Sequence, residues 1–121
     1  MKINIYNNSE TLKYKSTEIK RNILEIVNKF ELTKADEVEI IFVEKAKIKK
    51  LNAKYRKKNL ATDVLSFPQS TFNTKLNMLG SIVICDQVVK EKGEDLIDVV
   101  KHGFLHLLGF DHETDLKEWE S

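Results

Sequence analysis

The chain has 121 residues, 41% of them hydrophobic and 32% charged, with a formal net charge of +1. That is enough for one domain with a modest core and too little for two, and the balance excludes a disordered chain of one-signed charge. The only cysteine is Cys85, which excludes an internal disulfide and a cysteine-based zinc knuckle, so any metal site must draw on His, Asp or Glu.

The opening segment MKINIYNNSE lacks the apolar core of a signal peptide, and no stretch approaches the ~20 apolar residues that span a bilayer. A cytoplasmic protein with no membrane association is expected. Residues 2–6 (KINIY) alternate polar and apolar at period two, as does EVEIIFV at 37–43, and both predict strands. Between them, Ser16 or Thr17 can cap a helix whose apolar stripe is Ile19, Ile23, Ile26, Val27 and Phe30. A second helix is predicted from about 44 to 55, with Ile48, Leu51 and Tyr55 inward. DVLSFP (63–68) reads as a strand stopped by Pro68, which suits a sheet edge or strand end. Polar residues 69–77 make a loop, and GSIVICD (80–86) is a strand apolar on both faces. From Asp86 the pattern is helical, with a break at Gly93 and a short last helix after Asp111. No repeat or linker divides the chain, so residues 1–121 are expected to form one α+β domain, with α/β as the alternative. Its sheet should hold about four strands, of mixed direction, with helices packed on it.

All three histidines fall within KHGFLHLLGFDH (101–112). His102 and His106 are four apart, so on a helix their rings lie on one face and can bind one ion. Gly109 can take the left-handed conformation that ends a helix, and the turn can return His112 toward the other two. Three imidazoles with a fourth position left to water form the open arrangement of a catalytic zinc, one ion per chain. Metzincin peptidases share this spacing, H-E-x-x-H-x-x-G-x-x-H, but carry their glutamate base where this chain has Gly103. Phe104, Leu105, Leu107 and Leu108 would surround the site with apolar side chains. Asp111 reads first as a turn residue and second as an acceptor or base at the site.

From Lys45 to Lys58 there are seven lysines and Arg56, with no acidic residue. Such a run is the electrostatic footprint of a phosphate backbone, with a solvated helix face as the plainer alternative. Thr62, Asp63 and Ser66 read as structural, Cys85 as a small buried hydrophobe, and Tyr55 and Trp119 as packing residues.

Three segments, LNAKYRKKNLATDVLSFP (51–68), LGSIVICD (79–86) and HGFLHLLGFDH (102–112), together resemble the YbeY family of bacterial zinc-dependent endoribonucleases. The resemblance implies a sheet of about four strands, a metal on His102, His106 and His112, and an Arg56 important for RNA cleavage. It also implies action on ribosomal RNA, including the 3′ end of the small-subunit RNA, and a part in ribosome quality control, with the ribosome or small-subunit proteins as partners. The family pattern leads to an acidic residue where Ser81 stands and another where Asn59 follows Lys58, and to a longer stretch between Gly93 and His102.

The expected activity is metal-assisted hydrolysis of single-stranded RNA, with the basic surface holding the backbone. Two alternatives stand beside it. One is a peptidase on the same histidines, which Gly103 disfavours. The other is a non-catalytic RNA- or ribosome-binding module in which zinc only stabilises the fold.

Overall fold

The computed structural model describes residues 1–30, 37–68 and 78–109. Among them are β1 (Lys2–Asn7), α1 (Ser16–Lys29), β2 (Glu37–Phe42), α2 (Lys45–Arg56), β3 (Val64–Pro68), β4 (Met78–Ile84), α3 (Asp86–Glu91) and α4 (Leu96–Leu107). The predicted loop at 69–77 and the predicted last helix after Asp111 lie outside the described residues.

The four strands form one mixed sheet in the order β1-β2-β4-β3. β1 runs parallel to β2, with Ile3 opposite Val38 and Ile5 opposite Ile40. β2 is parallel to β4 and β3 is antiparallel to it, with Ser66 opposite Ile82. Four strands and four helices in this arrangement make an α+β fold, as the sequence leads one to expect.

Period-two alternation divides the sheet's side chains between two layers. Val38, Ile40, Phe42, Ile82 and Ile84 pack with α1 and α4, which contributes Val99, Val100 and Phe104. On the other face Val43, Leu65, Phe67, Val83 and Cys85 pack with Ile48 of α2. Cys85 is fully buried, in keeping with its reading as a small hydrophobe. Tyr55 meets Phe67 edge to face at 5.2 Å between centroids, so its ring serves packing.

The stripe of α1 is as expected, with Ile19, Ile23 and Ile26 buried. Its start is not. Ser16 is the first helical residue, and Lys15 takes the extended cap position with no side-chain cap bond. The Lys15 carbonyl accepts from the N–H groups of Glu18 and Ile19, so the backbone rather than a hydroxyl closes the first turn. β4 runs from Met78 to Ile84 instead of 80–86. Asp86 already opens α3, while the N–H of Cys85 still donates to the carbonyl of Asp63 at 2.9 Å.

Candidate functional site

The helix that carries two of the three histidines begins after a left-handed Gly93 (φ +67°), where the predicted break occurs. Asp95 caps it by accepting from the N–H of Asp98 at 3.3 Å. With Val99, Val100 and Phe104 turned into the core, the i, i+4 pair His102 and His106 falls on one flank. Both line a cavity of about 390 Å³ together with Asp63, Val64, Glu94 and Val99. His102 is half-buried and His106 is exposed. Gly109, at φ +94°, ends the helix in a left-handed turn, and its N–H donates to the carbonyl of His106 at 3.0 Å. His112 and Asp111 lie outside the described residues. Among the described residues no group of three or more His, Cys, Asp or Glu is placed to hold a metal ion.

Gly103 sits where α4 presses on the sheet. A Cβ there would come within 2.7 Å of Ile82 Cγ2 and 3.1 Å of Val64 Cγ2. The position that carries the peptidase glutamate therefore faces packed apolar side chains in this fold. Gly103→Glu would complete the peptidase motif on paper. It is expected instead to destabilise the protein by about 3 kcal/mol or more, from overpacking and a buried charge. A thermal melt checks the loss, and a casein-hydrolysis assay on the variant is expected to stay blank.

Asp63 and Glu94 are the acidic side chains that share the histidine cavity. Burial pushes the Asp63 carboxyl up, but more than offsetting this are a hydrogen bond with Glu94, the charge of Lys92 at 3.8 Å, the N–H of Val64 and the hydroxyl of Thr62. Its pKa is thus held below the usual carboxylate range. Glu94 moves the other way, through lost hydration and then the hydrogen bond and charge of Asp63. The sequence marks Asp63 only as a structural residue, in keeping with its bond to the N–H of Val64, and gives no signal for Glu94.

Arg56 is the last residue of α2, and Lys57 follows in the left-handed conformation (φ 58°) that turns the chain. Its guanidinium lies over the Phe67 ring at 5.2 Å and donates from Nη2 to the carbonyl of Ser66 at 2.7 Å. The Ser66 hydroxyl in turn donates to the carbonyl of Gly103 at 2.8 Å. Arg56 and the histidine helix are thus both fastened to β3, an edge strand. The seven lysines of the basic run are all exposed. Asn59 is exposed beside Lys49, Lys50 and Lys54. Ser81 is only 1% exposed and donates to a carboxylate oxygen of Glu39 at 2.9 Å. An acidic side chain at 81 would set two carboxylates against each other, which accounts for serine beside this glutamate.

Residues 4–120 match the family model of endoribonuclease YbeY. An endoribonuclease YbeY of Aliarcobacter butzleri is 39% identical over 83% of this chain and 77% of its own length. Its counterpart in Phytoplasma australiense is 33% identical over 95% of this chain and 84% of its own. The solution structure of TM1509 from Thermotoga maritima is also similar, at 27% identity and a TM-score of 0.48 over 91% of this chain and 74% of that one. With a family model matched across nearly its whole length and relatives above 30% identity, the chain belongs to the endoribonuclease YbeY family.

Proposed function

We propose that this protein is a zinc-dependent endoribonuclease that cuts single-stranded RNA, acting in ribosomal RNA processing at the 3′ end of the small-subunit RNA and in ribosome quality control. The observation that carries the reading is the His102 and His106 pair on one cavity, in a chain of this family. Two imidazoles one helical turn apart on one cavity supply part of the donor set that such an ion takes. His102, His106 and His112 would hold one zinc per chain. Such an ion, when bound, supplies a lowered pKa to water or polarises a phosphoryl oxygen.

The chain's own residues do the rest. Arg56 presents a planar fork of five N–H donors, of which the bond to Ser66 uses one, and a fork of that kind can grip two phosphate oxygens at once. Exposed lysines on α2 and at its end hold the backbone. RNA and the ribosome are the partners this reading implies. The crowded surroundings of Gly103 speak against the peptidase alternative. A zinc-dependent cleavage assay on single-stranded RNA, repeated with double-stranded RNA and an unfolded protein, tests the assignment. Cleavage of the single strand alone is expected, and bound but uncut RNA would point to the non-catalytic module.

Binding to RNA is expected to weaken steeply with salt, since each neutralised phosphate on a single strand lowers log K by about 0.7 per decade. Changing Lys49, Lys50, Lys57 and Lys58 to Gln should flatten that slope in a fluorescence-anisotropy titration. An unchanged slope would mean that the run is only a solvated surface.

A further inference from the structure

The cavity side of α4 is set by contacts of two kinds. Val64, Ile82, Val99 and Phe104 press the helix to the sheet through apolar contact, which fixes its depth but is non-directional. The hydrogen bond from the Ser66 hydroxyl to the carbonyl of Gly103 is directional, and it grips the backbone within the turn that separates His102 from His106. A helical carbonyl has a second lone pair beyond the one used by its own helix, so this bond adds to the helical ladder without breaking it. It therefore resists rotation of the helix about its axis, the motion that would swing both imidazoles away from a common point. Metal sites tolerate little of that, on the order of 0.5 Å or 10–20°.

We propose that Ser66 is a positioning residue for the metal site, orienting the His102 and His106 pair through the carbonyl of Gly103 while its own carbonyl seats the Arg56 guanidinium. One residue of the edge strand thereby gives the metal-bearing helix and the arginine a common origin. This rests on the reading above that the two histidines bind a metal.

Titration of the metal-free protein with cobalt(II), followed by its visible absorption, and with zinc in competition tests the role. Ser66→Ala is expected to bind both ions about tenfold more weakly and to alter the cobalt spectrum, the lower end of what is lost when a group that orients metal ligands is removed. Ser66→Thr, which keeps the hydroxyl on a side chain suited to a strand, should restore affinity and spectrum. Arg56→Ala should leave both unchanged, since it sits on the far side of the Ser66 link. Wild-type affinity and spectrum in Ser66→Ala would overturn the proposal. Should that variant fail to fold, Ser66→Val, which has the shape of the threonine variant without its hydroxyl, takes its place, and undiminished metal affinity there would overturn the proposal equally. A wild-type protein that takes up neither ion overturns the metal reading itself, and this role with it.

Discussion

His106→Ala is expected to lose zinc altogether, whereas the wild-type protein is expected to carry about one ion per chain, the stoichiometry of a single site of three imidazoles. Two properties make the result easy to interpret. His106 is exposed, so truncation leaves no cavity in the core, and Ala has the higher helix propensity, so α4 should keep its form. Loss of metal would then reflect a lost ligand and not a lost fold. Atomic-emission analysis after dialysis measures the content, and circular dichroism checks the helix. A second readout follows from linkage. An ion that binds only the folded chain stabilises it by about 2.7 kcal/mol at a concentration 100 times its dissociation constant. Added zinc should therefore raise the melting temperature of the wild type and leave that of His106→Ala where it was. Full occupancy in the variant would remove the basis for the metal site.

Arg56→Ala is expected to cut the cleavage rate by roughly 100- to 1,000-fold, the usual cost of losing one donor to charge that develops in the transition state. Zinc content should not change. The structure holds Arg56 at the end of α2 by its stacking on Phe67 and its bond to Ser66, an arrangement that limits the side chain's freedom before any RNA arrives. Arg56→Lys should recover only part of the rate, because an ammonium keeps the charge and loses the fork. Lys57 is the control. It is exposed, adjacent and equally charged, and a screened surface charge contributes little, so Lys57→Ala should lose less than about tenfold. Single-turnover cleavage at saturating enzyme separates the two residues, and equal small losses would sink the role given to Arg56.

Much of the site's local form is legible in the sequence, because its rules act over a few residues. The four-residue spacing of His102 and His106 puts them on one helix face, and Gly109 ends that helix with a positive φ. Gly93 breaks the preceding helix in the same way. Arg56 ends α2 within one residue of the expected boundary. Boundaries were harder where a pattern carries no stop signal. The apolar run continues through Cys85, one residue past the end of β4, before Asp86 opens α3, and Lys15 caps α1 with its backbone while two better capping residues are the first two of the helix.

Period-two and three-and-four spacing, glycine placement and the clustering of like charge thus determined by themselves the elements, the α+β class, the histidine pair and the basic helix, since each depends on the geometry of neighbouring residues. Only the tertiary structure decided that Gly103 is closed to a larger side chain, that Asp63 and Glu94 share the histidine cavity, and that Ser66 joins Arg56 to the histidine helix. Those relations span 37 residues in the bond from Ser66 to Gly103. They exist because β3 pairs antiparallel with β4 while α4 returns to lie across both strands, and close packing at that crossing leaves no room for a side chain at Gly103.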